Sequence, residues 1–309
     1  MLSSFLAVGT QVAILFILIG IGFVLGKAGK MDDHASLGMS NLVIYVVMPA
    51  MQIVAYQRPL ESKSLHNFFA VLLIATVVQV IGIFISHGLV RGHNIERRRT
   101  LQFSGSFSNC GFMAFPLQMA LLGSLGVFFG SAYSMVFTII AWTYGIYLLT
   151  GDKKQLSLKS LLLNPGIIGS VIALVLYLGQ ITLPEIIFKP LEHMSHLNTP
   201  LPMVIVGYQL SKADFRTVVR GLDTWMAAIM RLIISPLVAI AVCMLLHVDS
   251  DVMLVIVIAA SAPPASLLGI LSAKFGRDTE LASGVVSFHT LLSILTMPLM
   301  VSLAQMLCR

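Results

Sequence analysis

Charge is scarce in this sequence of 309 residues. Only 10% of the residues are Asp, Glu, Lys or Arg, and 57% are hydrophobic, whereas soluble domains average about 25% charged residues. The interval from Leu101 to Gly151 contains no Asp, Glu, Lys, Arg or His at all. Because one membrane-spanning helix needs about 20 apolar residues, this interval is long enough for two spans. The composition therefore predicts a multi-pass membrane protein.

Several chemical motifs are also missing. The three cysteines, Cys110, Cys243 and Cys308, show no CxxC spacing, so they indicate neither a disulfide framework nor a zinc site. The sequence has no HExxH motif and no nucleotide-binding loop, which disfavours an enzyme. No Asp or Glu falls in the middle of a predicted span, which disfavours cation antiporters that use buried carboxylates. We expect no cofactor and no metal, with a membrane enzyme or scaffold as the alternative from another class.

Apolar length divides the chain into ten predicted spans within one domain. The first is too long for a signal peptide and lacks a basic start, so we expect it to remain as a helix. The connections are short, apart from a polar stretch between spans 5 and 6. The predicted spans are 5–27, 36–56, 66–90, 100–122, 126–149, 162–179, 187–210, 222–247, 252–274 and 280–307.

Lys and Arg residues are distributed unevenly between the two sides of the predicted bundle. Alternate connections carry fourteen of them on one side and four on the other, the latter being Arg58, Lys63, Lys189 and Arg309. Because basic connections stay in the cytoplasm, we expect both termini to lie outside, in a bacterial inner membrane. The net charge of +6 is then a topology signal, and we expect lipid rather than nucleic acid as a partner.

The two halves of the chain align at their helix breakers. A shift of 153 positions places residues 109–111 on 262–264, although identity at this offset is no better than chance. Five spans in each half is an odd number, so the second half would enter the membrane from the opposite side. We therefore predict two inverted repeats, 1–150 and 160–309, as in many secondary transporters.

Two of the predicted spans contain clusters of helix breakers. They are SNCGFMAFP (108–116) in span 4 and SAPPAS (261–266) in span 9. A broken helix survives in a membrane only where it is buried in protein or lines a cavity. If the spans cross there, N–H groups at half-helix N-termini point into one cavity and favour an anion. Pro116, Pro263 and Pro264 are the predicted breaking residues, with simple kinks as the alternative.

Around the first cluster the sequence resembles the auxin efflux carrier family, which includes bacterial malonate and malate permeases. The family pattern Ser-Asn-x-Gly-Phe-x-x-x-Pro-Leu is matched by Ser108, Asn109, Gly111, Phe112, Pro116 and Leu117. The resemblance implies a fold similar to the bile acid sodium symporters, in which a crossover domain moves against a scaffold domain. It implies that Asn109 binds substrate, with Ser261 as a second ligand. Cys110 stands where relatives often have Thr, which removes a hydroxyl.

Two ionisable residues inside spans require an explanation. Arg231 could snorkel to the inner surface, line the substrate path, where it would suit a dicarboxylate, or form a structural pair. His289 could carry a proton, although a neutral, hydrogen-bonded histidine is the commoner case. An ionisable group costs several kcal/mol at the centre of a membrane, so both positions are candidate functional residues.

These patterns together predict a secondary transporter for a small organic anion, and the resemblance implies malonate, malate or a related carboxylate as the substrate. The predicted substrate site comprises Ser108, Asn109, Cys110, Gly111, Ser261, Pro263, Pro264 and Arg231. Proton or sodium could be the coupling ion, and a homodimer is possible. The alternative is a sodium- or proton-coupled symporter of another solute on the same fold.

Overall fold

The computed structural model describes residues 2–213 and 215–308. Within these residues the regular structure is helical, apart from one isolated β-bridge. Arg309, counted above among the outer charges, lies outside the described residues. The all-helical class is confirmed, and six stretches of the described chain are long and apolar enough to cross a membrane. They are Val8–Lys27, Asp33–Tyr56, Ser62–Leu89, Cys110–Thr150, Leu222–Leu245 and Thr279–Leu307.

Helix occupies most of each predicted span, and several spans consist of more than one helix. Predicted spans 4 and 5 are separated by a sharp turn at Gly123, whose φ of 61° is a left-handed conformation that favours glycine. The helices are α1 (Leu2–Lys27), α2 (Asp33–Tyr56), α3 (Ser62–Leu89), α4 (Ile95–Ser106), α5 (110–122), α6 (124–150), α7 (Leu158–Leu162), α8 (Pro165–Leu178), α9 (Glu185–Ser195), α10 (Pro200–Lys212), α11 (Arg216–Val219), α12 (Leu222–Leu245), α13 (Ser250–Ser261), α14 (Leu267–Lys274) and α15 (Thr279–Leu307).

Side-chain caps begin several of these helices at the end of the bundle that carries the basic connections. The carboxylate of Asp32 accepts from the amide of Ala35 before α2, and that of Asp278 accepts from the amide of Leu281 in α15. Asn94 and Asn164 cap α4 and α8 in the same way. Capping satisfies amides that have no partner within the helix, so short polar residues fix where these helices start.

Three spans contain a π-helical turn just before a proline. A proline lacks an N–H group, and its ring clashes with a carbonyl group one turn earlier in an α-helix. The extra residue of a π turn displaces that carbonyl group and lets the helix continue. The π turns are Val43–Val47, Cys110–Ala114 and Met230–Ile234, followed by Pro49, Pro116 and Pro236 respectively.

Glycines bring α1 and α10 into close contact. A Cβ atom on Gly22 would lie 2.0 Å from the carbonyl oxygen of Val204, and one on Gly207 would lie 1.9 Å from that of Ile19. Gly169 of α8 similarly leaves room for the backbone of α2. Small residues allow such backbone approach between helices in membranes. We call α1, α2, α8, α9 and α10 the flanking helices, and α3–α6 with α12–α15 the crossing helices.

Two of the predicted spans are interrupted within the crossing helices. Residues 107–109 separate α4 from α5, and residues 262–266 separate α13 from α14. Pro263 and Pro264 lie in the second interruption, as predicted. The first ends earlier than predicted, because the π turn accommodates Pro116 inside continuous helix. Pro116 is therefore not a breaking residue, and the prediction is corrected on this point.

Candidate functional site

The two interruptions lie side by side as a short antiparallel pair. The amide of Asn109 donates to the carbonyl oxygen of Pro263 at 2.7 Å, and the amide of Ala265 donates to that of Phe107 at 2.9 Å. The donors are Asn109 and Ala265, so the adjacent prolines, which have no N–H group, remove no hydrogen bond from the pair. The approach of the two segments that the sequence predicted is present, and we call it the crossing.

Arg231 connects the C-terminal ends of α4 and α13 at the crossing. Its guanidinium group donates to the carbonyl oxygen of Ser106 at 3.1 Å, to that of Ala260, and to the hydroxyl oxygen of Ser235 at 2.6 Å. The side-chain amide of Gln79 donates another hydrogen bond, of 2.8 Å, to the Ser106 carbonyl oxygen. Helix C-termini carry partial negative charge, so the arginine is attracted to both ends at once.

This position changes the interpretation of Arg231. The residue is only 1% exposed, so its side chain does not snorkel to a membrane surface. It forms no ion pair with any carboxylate of the described residues. The partners of its charge are therefore backbone carbonyl groups and one hydroxyl group.

A cavity of about 160 Å³ faces the N-terminal ends of α5 and α14. Its walls combine apolar side chains, among them Met48, Phe137 and Trp142, with polar ones. None of its described lining residues is an Asp, Glu, Lys, Arg or His. The polar lining residues are Ser40, Ser108, Asn109, Ser134, Thr138, Asn164, Gln209 and Ser266.

Asn109 links the two half-helices that face this cavity. Its side-chain oxygen accepts from the amide of Phe112 at 3.1 Å, which caps α5. Its side-chain amide donates to the hydroxyl oxygen of Ser266 at 3.3 Å, at the start of α14. Amides in the first turn of a helix have no partner within it, so both helix starts can offer N–H groups to a ligand.

The other residues of the predicted substrate site divide into two groups. Ser108, Cys110 and Gly111 line the cavity, as Asn109 does. Ser261, Pro263, Pro264 and Arg231 are not among its lining residues. The hydroxyl group of Ser261 donates to the carbonyl oxygen of Val257 in its own helix at 2.6 Å. The prolines contribute backbone to the crossing, and Ser266 occupies the place in the cavity that we assigned to Ser261.

His289 and Pro116 lie away from the cavity walls. His289 is buried, and its Nε2 is 3.2 Å from the carbonyl oxygen of Thr224. Pro116 lines a separate small cavity with residues that include Gln11 and Thr199. Neither residue contacts the space at the crossing, so a proton carried by His289 would not pass directly to a ligand there.

Six polar lining residues were missed by the sequence analysis, among them Ser266, Asn164 and Gln209. Ser266 begins α14, just as Asn109 begins α5, and its position relative to the two prolines was the signal for it. Asn164 precedes Pro165, which is a common pattern at a helix start. Gln209 lies in an ordinary apolar helix, and nothing in its surroundings distinguishes it.

The cavity lies toward the end of the bundle that carries the basic connections. Ser40 is in the first half of α2, which starts at that end, and Gln209 is close to the end of α10 that reaches it. Asn164 caps the start of α8 at the same end. The walls of the cavity thus come from both the flanking and the crossing helices.

The chain is similar to known proteins over nearly its whole length. The sequence model of the family described as membrane transport protein matches residues 7–301. An uncharacterized transporter of Methanocaldococcus jannaschii is 25% identical over 303 residues, which cover 93% of this chain and 96% of the relative. One of Methanothermobacter thermautotrophicus is 22% identical, covering 92% and 94%. The uncharacterized transporter YfdV of Escherichia coli strain K12 is 21% identical, covering 97% and 98%.

Proposed function

Because this chain belongs to the membrane transport protein family, that of the auxin efflux carriers, we propose that it is a secondary transporter for a small organic anion. Malonate, malate or a related carboxylate would bind in the cavity at the crossing. The supporting observation is that the N-termini of the half-helices α5 and α14 face this cavity. Arg231 binds the C-terminal ends of the other two half-helices, α4 and α13.

The electrostatics of the crossing favour an anion over a cation. Helix N-termini carry partial positive charge, and half-helix N-termini bind anionic substrate groups in other transporters. The neighbouring Arg231 adds a full positive charge that no carboxylate of the described residues neutralises. The cavity walls hold no acidic side chain among the described residues. A carboxylate can thus find donors there without meeting a like charge.

The size of the cavity favours a small acid. Its volume of about 160 Å³ is below the range of about 300–1,000 Å³ that is usual for sites of drug-sized ligands. Among other solutes that the same fold could carry, one as bulky as a bile acid would not fit this space. The polar lining matches the oxygen atoms of a short carboxylic acid.

We also propose ten membrane spans arranged as two inverted repeats. The first span packs on the seventh as α1 on α10, and the second packs on the sixth as α2 on α8. Exchanging the two halves converts one of these pairs into the other, as repeats related by a two-fold axis require. The bridge between Ser108 and Pro264 lies where the two proposed repeats meet.

The proposed mechanism is alternating access with the basic end of the bundle in the cytoplasm. In that orientation the cavity lies toward the cytoplasmic side, and both termini lie outside. Movement of the crossing helices against the flanking helices would transfer the bound carboxylate to the other side. The joined half-helices and Arg231 all belong to the crossing helices, so this group can move without losing its hydrogen bonds.

Transport of radiolabelled malonate into proteoliposomes tests the proposal. We expect uptake by the unmodified protein and at least tenfold slower uptake by Asn109→Asp. The aspartate keeps an oxygen that can cap α5, but its negative charge repels a carboxylate. Asn94→Asp, which changes the exposed N-cap residue of α4 away from the cavity, is the matched control and should transport normally.

The same assay identifies the coupling ion. Uptake is measured with and without sodium, and with the proton gradient collapsed by an ionophore. Loss of uptake in one of these arms assigns the ion. Normal malonate uptake by a folded Asn109→Asp protein, or chemical conversion of malonate without movement, would refute an anion transporter with its site at the crossing.

A further inference from the structure

Another cavity, of about 460 Å³, lies at the basic end of the bundle, between the ends of α3, α4 and α6. We call it the second cavity. It shares no lining residue with the cavity at the crossing. Its walls contain three arginines, Arg91, Arg98 and Arg99, together with His87. The proposed transport mechanism uses none of these residues.

The positive charge of this second cavity has no acidic counterpart among the described residues. The nearby carboxylates are already engaged, because Asp223 pairs with Arg97 at 2.6 Å and Glu96 pairs with Arg277 at 2.7 Å. None of the described ion pairs includes an arginine that lines the cavity. The lining carries no Asp or Glu. Three cations around one opening form a site suited to an anion.

The lining arginines are held in place by backbone contacts. The Nε atom of Arg91 donates to the carbonyl oxygen of Gly88 at 2.7 Å. The guanidinium group of Arg99 lies over Gly151, where a Cβ atom would be 2.4 Å from its Nη2 atom. The guanidinium groups are therefore positioned, and arginine donors in such positions can bind phosphate oxygens in pairs.

The surroundings of the second cavity fit a lipid. Exposed apolar side chains run along one face of α3 toward His87, and their spacing of four, seven and four residues keeps them on that face. Tyr144 bonds to the Nε2 atom of His87 at 2.9 Å, and Tyr147 is adjacent. Tyrosines are typical of the membrane interface. The exposed apolar residues are Phe69, Leu73, Val80 and Phe84.

We propose that this second cavity binds the phosphate group of an anionic phospholipid. The arginines contact the phosphate, the tyrosines lie at the headgroup level, and an acyl chain extends along the apolar face of α3. Basic pockets between membrane helices on the cytoplasmic side bind anionic headgroups in this manner. The apolar face, which leads directly to the arginines, favours a lipid over a free phosphate ion.

Thermal unfolding of the purified full-length protein in detergent tests this proposal. We titrate dioleoylphosphatidylglycerol, dioleoylphosphatidylcholine or inorganic phosphate and follow the midpoint temperature. Only phosphatidylglycerol should raise the midpoint. In Arg91→Gln/Arg98→Gln the lipid concentration needed for half the effect should rise roughly 25-fold, because each basic residue contributes about fivefold to binding of an anionic lipid.

A matched control removes the same charge elsewhere at the same end. Lys153→Gln/Lys154→Gln, in the exposed connection after α6, should respond to phosphatidylglycerol as the unmodified protein does. An equal response of the arginine variant, or an equal effect of phosphatidylcholine, would overturn the proposal. An equal effect of inorganic phosphate would overturn the lipid as the source of the phosphate.

If the double variant does not fold, Arg91→Gln alone, at an exposed position, should still show a roughly fivefold change. The assay does not depend on transport, so its outcome is independent of the proposed function.

Discussion

At the scale of single residues, Arg231 connects the two helix ends that meet at the crossing. Arg231→Met leaves the Ala260 carbonyl oxygen without this donor and removes one of two donors from Ser106. An unpaired buried polar group costs about 1–3 kcal/mol, so we expect a clearly lower midpoint of thermal unfolding. Arg231→Lys should recover only part of the loss, since an ammonium group lacks the planar fork of guanidinium.

Fluorescence-detected size-exclusion after heating measures this effect. Lys30→Met, at an exposed position, removes a charge without a buried contact and should leave the midpoint unchanged. An unchanged midpoint in Arg231→Met would contradict the role of Arg231 as the connection between α4 and α13.

Two serines near the crossing distinguish the structural site from the one that the sequence predicted. Ser266→Ala removes the hydroxyl group that lines the cavity and accepts from Asn109. Ser261→Ala removes only a hydrogen bond within α13. We expect about a tenfold rise in the malonate KM for Ser266→Ala, since one hydrogen bond to a charged group contributes about 1.5–3 kcal/mol, and less than a twofold change for Ser261→Ala. Uptake at graded malonate concentrations decides between them, and the reverse order would restore Ser261 to the site.

At the scale of helices, the contact of α1 with α10 depends on glycine. Gly22→Ala places a methyl group against the carbonyl oxygen of Val204, and overpacking of this kind costs roughly 1–3 kcal/mol. Gly20→Ala, on the same helix, meets no atom within 4 Å and should not lower stability, because alanine favours helix over glycine. Comparison of the two midpoints of thermal unfolding is the test. Equal midpoints would mean that α1 and α10 adjust without loss.

The helical elements were largely predictable from the sequence, because apolar length and helix breakers are local properties. The interruption at Pro263 and Pro264 was predicted because two adjacent prolines cannot continue a helix. Pro116 was misinterpreted, since the same residue can end a helix or follow a π turn. The choice between these outcomes depends on packing around the helix, which no local pattern reveals.

At the scale of the whole molecule, the position of the cavity predicts which face of the membrane gives access to it. In a protein whose native cysteines are replaced by alanine, Gln209→Cys should react with a membrane-impermeant maleimide from the cytoplasmic side. Gln11→Cys, in the separate small cavity with Thr199, should react from the opposite side. Labelling in right-side-out and inverted vesicles measures both. Reaction of both cysteines from one side would contradict the proposed orientation.

Most long-range contacts could not be predicted from the sequence. The meeting of the two interruptions could be expected from their matching depth, and Asn109 could be identified from its motif. The partners of Arg231 could not, because they are backbone carbonyl groups, which every residue has. Gln209 and Asn164 enter the cavity only through the packing of flanking against crossing helices, so their roles depend on the assembled fold.

The division of the cavity between two groups of helices has a thermodynamic consequence. The amides of α5 and α14, with Asn109 and Ser266, stay with the carboxylate throughout its passage in the proposed mechanism. The flanking helices contribute Ser40, Asn164 and Gln209. These side chains can contact the carboxylate only while the cavity faces the basic end of the bundle. Unequal affinity at the two membrane faces would therefore derive from these three side chains, and changing them would alter the affinity at the cytoplasmic face without removing the binding site.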